Sequence, residues 1–384
     1  MFSGKIWVCL TICLNRLDKT FSCPNSQLCP LFQMIFFFLN KVIEQYDSEL
    51  SMPISKLLSL LTILFSLYAG SQSISYATTL NDTIPNNLLM YHRFGESKYP
   101  STNTTTEQVE LHLSYLKDKN FNFILAKDLL NPEVLSTKTI SITVDDAYLS
   151  FYEVGLPIFE KFNIPVTLFL NTENVGGNNY MSWSQLKETL NRGVDIQNHT
   201  HSHSSLSLLT DEEIINEIEK SQSLIFDNLG IVPNLFAYPF GENSLKAQKI
   251  VSEYFDAAFG QHSGAFSIDQ KYYIPRFPLN ENYGSLDRIR DAANALPFSN
   301  ASLLPIDPHL NPATNRFVLN LAEGTQGVNC FISDFQGSIE KTFTTLEDKL
   351  LIELDRMPVK GRLRFNCTKV NEGVYWYGFQ YVIN

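Results

Sequence analysis

The chain has 384 residues, 44% hydrophobic and 18% charged, with no low-complexity tract: the composition of a folded protein with room for two domains. Its formal net charge is −11, which excludes nucleic-acid binding as the main task, because phosphate contacts need a basic surface. No block of like charges suggests a tail or tether.

The first 77 residues differ from the rest and hold four of the six cysteines, Cys9, Cys13, Cys23 and Cys29. Within them, MPISKLLSLLTILFSLYAGSQSISYA (52–77) reads as a secretory signal. Lys56 supplies the basic start, Leu57 to Ala69 the apolar run, and Ser75 and Ala77 the small residues of a cleavage site. The run is short for a bilayer span, and an uncleaved anchor is the competing reading. On the signal reading, residues 1–51 lie upstream of a natural start at Met52 and are set aside. The mature chain then carries 24 basic and 36 acidic residues and keeps Cys330 and Cys367. Export to an oxidising compartment would pair these two, closing a loop of 37 residues and contributing roughly 4 kcal/mol; two unpaired buried thiols are the alternative.

From residue 78 to about 298 short apolar strands alternate with amphipathic helices. NLLMYHRF (87–94) reads as a strand, and a helix is expected from a Thr104–Glu107 capping box. FNFIL (121–125), TISITV (139–144), IPVTLFL (164–170) and VDIQN (194–198) read as strands. Ser182 with Gln185, and Thr210 with Glu213, form further capping boxes. The second opens a helix with Ile214, Ile218, Ile225 and Leu229 on one face and Gly230 at its end. LFAYPFG (235–241), DAAFG (256–260) and YYIPRF (272–277) complete the strands. Such alternation implies parallel strands wrapped by helices, as an open sheet or a barrel. The four-proline stretch 296–315 reads as a linker. Beyond it, in residues 299–384, the helical period vanishes and strands remain. In RLRFNC, Leu363, Phe365 and Cys367 alternate with Arg362, Arg364 and Asn366, which predicts a small antiparallel sandwich.

Asp145 and Asp146 follow the strand TISITV directly. Residues just past a strand's carboxyl end line the active face of parallel α/β folds, and two adjacent carboxylates there need a cation or a shared proton. NHTHSH (198–203) also follows a strand and holds three of the chain's seven histidines. Asp with two His is the donor set of a catalytic metal site with an open position.

These segments resemble the motifs of polysaccharide deacetylases with the NodB-homology fold (carbohydrate esterase family 4 type). TVDDAY (143–148), HTHSH (199–203) and FAYPFG (236–241) are similar to the three motifs in order. The resemblance covers about residues 85–295. It implies a distorted (β/α) barrel holding a divalent metal, usually Zn2+, on Asp146, His199 and His203, with Asp145 as general base. LLMYHRF is further similar to exported deacetylases of poly-N-acetylglucosamine, whose barrel is circularly permuted. In those the general acid comes from the first strand, which His92 matches; His262 is the other candidate. The chain departs from the pattern at Ala147, where the family usually has glycine, and at Ala237, near where it usually has arginine. Arg276, after the last strand, is the expected substitute that orients Asp145. The backbone N–H of Phe240 is the expected oxyanion donor. His201 is expected to point away, because three protein ligands already leave the one open position that water needs.

The function implied is N-deacetylation of N-acetylglucosamine units in an extracellular or cell-envelope polysaccharide, by an exported enzyme. Another acyl substrate (an O-acetyl ester, peptidoglycan or chitin) and a non-catalytic carbohydrate-binding protein are the alternatives. No Gly-x-Ser-x-Gly elbow for a nucleophilic serine occurs.

Overall fold

The computed structural model describes residues 83–384, so the signal-like segment and everything before it lie outside the described residues. The barrel strands are β1 (Asn86–Tyr91), β2 (Asn122–Ile124), β3 (Thr139–Asp145), β4 (Val166–Leu170), β5 (Asp195–Asn198), β6 (Leu235–Ala237), β7 (Ala257–Phe259) and β8 (Phe277–Pro278). They form one sheet in the order β8-β1-β3-β4-β5-β6-β7, with β2 beside the first half of β3. Every pairing in it is parallel. Ile274 bridges to Phe259 of β7, and three residues later Phe277 pairs with Leu89 of β1. One short segment therefore joins the two sides of the curled sheet, and Arg276 lies in it. This is the distorted (β/α) barrel that the resemblance implies, and it closes the choice between open sheet and barrel that the alternation leaves.

Helices α1 (Thr106–Asp118), α2 (Leu156–Lys161), α3 (Trp183–Asn191), α4 (Asp211–Leu229), α5 (Leu245–Tyr254) and α6 (Leu286–Asn294) cover the sheet. The capping boxes of α3 and α4 fall where expected, and α4 stops at left-handed Gly230. That of α1 is one residue later than expected: Thr105 caps and Gln108 answers, because Thr104 is used in a short extended pair with Phe94. β3, buried along its whole length, is the centre of the barrel core.

The C-terminal strands are β9 (Ser302–Leu304), β10 (Arg316–Asn320), β11 (Val328–Asp334), β12 (Lys341–Leu346), β13 (Lys349–Leu354), β14 (Gly361–Val370) and β15 (Val374–Ile383). β9-β10-β13-β12 make one antiparallel sheet; β15, β14 and β11 make the centre of a second. The two meet through Phe317 of β10, packed against Phe365 and Tyr381 with ring centroids 4.7 and 5.3 Å apart. Leu363, Phe365 and Cys367 all face inward. Cys330 and Cys367, opposite one another on β11 and β14, are disulfide-bonded.

The proline-rich stretch is no free linker. It contains β9, and His309–Leu310 pairs with the end of β15. Nor does the sandwich stand apart: Phe236, Tyr238 and Tyr273 of the barrel share one apolar cluster with Phe317, Phe365 and Tyr381. Proline cannot continue a helix, but neither does it prevent short edge pairings.

Candidate metal centre and active site

β3 delivers Asp145 at its last position, and the chain then turns left-handed at Asp146 (φ 75°) and Ala147 (φ 53°). Glycine tolerates such a turn most easily, which explains the residue the family usually has where this chain has alanine. The turn sends the two carboxylates apart. Asp145 is fully buried and takes both arms of Arg276, Nη1 to Oδ1 at 2.7 Å and Nη2 to Oδ2 at 2.8 Å. Burial alone would raise its carboxyl, but the Arg276 charge, helped by His199, outweighs this and holds Asp145 below the usual carboxylate range. Arg276 also donates to the Gly260 carbonyl at 2.8 Å and the Thr143 hydroxyl at 3.2 Å, so its orientation is fixed from three sides.

Asp146 faces the histidines instead. Its Oδ1 lies 3.2 Å from His203 Nε2 and 3.6 Å from His199 Nε2, and accepts from Asn171 Nδ2 at 2.9 Å. Three donor atoms all within 4.8 Å of one another is the arrangement for one ion. A tetrahedral zinc site separates adjacent donors by about 3.3 Å, so these residues fit a divalent cation with room for an open position. His199 Nδ1 bonds the Ala237 carbonyl at 2.7 Å, which leaves Nε2 to the ion. Burial pushes His199 down to about 4, keeping its ring neutral as a ligand must be.

The histidine segment does curl. After β5 the backbone is left-handed at Thr200 (φ 68°) and again at His203 (φ 62°). The Thr200 hydroxyl accepts from the His203 N–H at 3.0 Å, closing the turn. His199 and His203 converge with ring centroids 4.9 Å apart. His201 turns away to the Thr172 hydroxyl at 2.9 Å.

His92, just past β1, lies near both Asp145 and Asp146, and the Gln261 amide is 3.1 Å from its Nε2. His262 is placed otherwise. It is buried against Tyr273, centroids 4.4 Å apart, and neither ring nitrogen has a hydrogen-bond partner among the described residues. Burial, with the charges of Arg364 and Arg276, pushes it down to about 3. Phe240 sits in a left-handed turn (φ 59°) with its ring edge-on to His203 at 4.5 Å.

Sequence reasoning missed Glu217, Asn171 and Gln261. Glu217 on α4 accepts from the N–H groups of His201 at 3.0 Å and Ser202 at 2.7 Å, tying the curl to the helix. Its signal was present: a glutamate between Ile214 and Ile218 on the buried face of α4. Asn171 had only its place at the end of β4, and Gln261 had none.

The sequence profile of the polysaccharide deacetylase family matches residues 133–254. Residues 133–254 of the barrel thus match a polysaccharide deacetylase domain. Such domains belong to hydrolases. The chain is 25% identical over 230 residues to the poly-beta-1,6-N-acetyl-D-glucosamine N-deacetylase of Staphylococcus aureus, covering 55% of this chain and 79% of that protein. It is 28% identical over 194 residues to YxkH of Bacillus subtilis, a protein named for polysaccharide deacetylation, covering 48% of this chain and 68% of that one. Among solved structures, the Streptococcus pyogenes deacetylase PplD in complex with acetate superposes with a TM-score of 0.51 at 20% identity, over 55% of this chain and 99% of that one. That likeness establishes the fold over about half of this chain.

Proposed function

We propose that the chain is a metal-dependent N-deacetylase acting on N-acetylglucosamine units of an extracellular or envelope polysaccharide. The observation that carries this is the division of labour between adjacent carboxylates: Asp146 faces two histidines, while Asp145 is held ionised by Arg276 beside them. A divalent cation on Asp146, His199 and His203, zinc by its suitability for two imidazoles and a carboxylate, supplies Lewis acidity toward the acetamide carbonyl and the attacking water. Asp145 takes the proton from that water. The Phe240 N–H donates to the carbonyl oxygen as negative charge develops. His92 gives a proton to the departing nitrogen, releasing acetate and a glucosamine unit. Poly-β-1,6-N-acetylglucosamine is the polymer of choice, supported by the named activity of the S. aureus relative and by the MYH end of β1. Export is supported by the pattern of 52–77 and by the disulfide, which persists in oxidising compartments.

The test is acetate release by purified, metal-restored protein from β-1,6-linked N-acetylglucosamine oligomers, chitin oligomers and an O-acetylated glycan. Release from the first, abolished by a chelator and restored by zinc, is expected. No release from any N-acetylglucosamine polymer overturns the proposal, and release from the O-acetylated glycan alone moves it to esters.

A further inference from the structure

The last strand of the sandwich reaches the catalytic loops of the barrel. Gln380 on β15 is fully buried, and its side-chain amide is committed at both ends. Nε2 donates to the Phe240 carbonyl at 3.0 Å, and Oε1 accepts from Arg364 Nε at 3.1 Å. Arg364 stands directly opposite on β14, so sheet register itself presents the pair. The Tyr273 hydroxyl lies 2.9 Å from the carbonyl oxygens of both Gly241 and Gln380, clamping the next residue of the same turn to the same strand. Two residues earlier, β15 supports the loop that carries Gln261, the neighbour of His92. The Ala265 N–H donates to the Trp376 carbonyl at 3.0 Å, and Gly378 packs so closely that a Cβ there would overlap the Ser263 carbonyl oxygen.

Phe240 cannot hold its conformation cheaply. It is a bulky residue with positive φ, a region disfavoured for aromatic side chains, and the residue is 39% exposed. A turn of this kind persists only when its surroundings over-determine it. A pinned Phe240 carbonyl fixes the plane of the 240–241 peptide, and so holds the far side of the turn from which the Phe240 N–H projects. We infer that Gln380, oriented by Arg364, is a positioning residue for the Phe240 turn, so that the C-terminal sandwich is part of the catalytic unit. This rests on the deacetylase reading above.

Gln380→Glu isolates the contact in the full chain. Glutamate keeps the length and the link to Arg364 but, ionised, offers no donor to the Phe240 carbonyl. Misplaced donors cost turnover more than binding, so kcat should fall about tenfold or more with KM within about twofold. Zinc content should stay near wild type, because none of Asp146, His199 and His203 bonds Gln380, and Tm should fall by only a few degrees, through the loss of one buried hydrogen bond. Should that variant fail to fold, Gln380→Met, which fills the space without hydrogen bonding, carries the same expectation. Wild-type kcat in the folded variant, or a fall in kcat only in proportion to lost zinc or lost Tm, overturns the inference. The reference is acetate release from a β-1,6-linked N-acetylglucosamine pentamer by wild type and by His203→Ala. If wild type releases none, or His203→Ala releases as much, the deacetylase reading fails first. If wild type is active, His203→Ala is dead and Gln380→Glu is unimpaired, only the role of Gln380 is lost.

Discussion

Two arginine–carboxylate pairs of this molecule have nearly the same length and opposite meanings. On the strand-end face of the barrel, Arg276 meets Asp145 at 2.7 Å with both side chains fully buried. On the outer face of the sandwich, Arg316 meets Glu353 at 3.0 Å with the side chains 77% and 49% exposed. Separation does not distinguish them; surroundings do. The exposed pair trades hydration for a contact that water screens. The buried pair has no water to fall back on, so each partner exists there on the condition that the other does. The barrel face spends folding energy to keep a carboxylate ionised in the dark, and the sandwich face spends almost nothing.

The widest break in this comparison is at the metal donors. His199→Ala and His203→Ala should each lose the ion and fall to on the order of a thousandth of wild-type turnover or less, whereas His201→Phe should keep its metal and most activity. Metal analysis with an acetate assay decides it, and metal loss in the His201 variant would contradict the curl. Next comes Arg276→Ala, which strands a buried carboxylate and should cost about 3–5 kcal/mol in denaturant unfolding. In whatever fraction folds, Asp145 loses the charge that lowers it, so its ionised form appears only at higher pH. The acid limb of the pH–rate profile should move upward, and an unmoved limb would deny Arg276 its hold on the base.

His112 sharpens the contrast within the barrel. It is buried between the Tyr91 hydroxyl at 3.0 Å and the Gly284 carbonyl at 2.8 Å, and burial pushes it down to about 4. An unfolded chain would protonate this ring below about 6.5 while the folded one holds out to about 4, so stability drains as pH falls through that window. The share is up to about 3 kcal/mol, and His112→Gln should flatten that part of the pH–stability curve. Smallest is Arg316→Ala, expected to shift unfolding by no more than about 0.5 kcal/mol; a larger loss would erase the distinction between the two faces.

Much of this architecture can be read locally. Capping boxes at Ser182 and Thr210 depend on three-residue spacings, and the RLRFNC alternation on a two-residue one. Asp145, Asp146, His199 and His203 were legible for a related reason: each sits at a strand end or in the turn that follows it, where parallel folds collect chemistry. Arg276 was reached by asking what could replace an absent arginine, although 131 residues separate it from Asp145. Gln380 was beyond such reasoning. It looks like an ordinary inward residue of a strand, and its 140-residue reach to Phe240 exists only once two sheets share a core. The linker expected at 296–315 failed for the same cause, since pairing with β15 is invisible to a count of prolines.

The left-handed backbone at Asp146, Ala147, Thr200, His203 and Phe240 has a consequence for how this site can change. Five non-glycine residues in that region, all on the loops around one candidate cation site, mean that backbone tolerance screens a substitution before its chemistry does. Asparagine, aspartate and glycine pass that screen most easily and valine and isoleucine least, while Thr200 holds its place with its hydroxyl accepting from the His203 N–H. A randomised library at position 203 should therefore return asparagine and aspartate ahead of β-branched residues of better size. Redesign of the metal preference here would travel along the narrow set of side chains that the loops admit, and Ala147→Gly would be the first step to widen it.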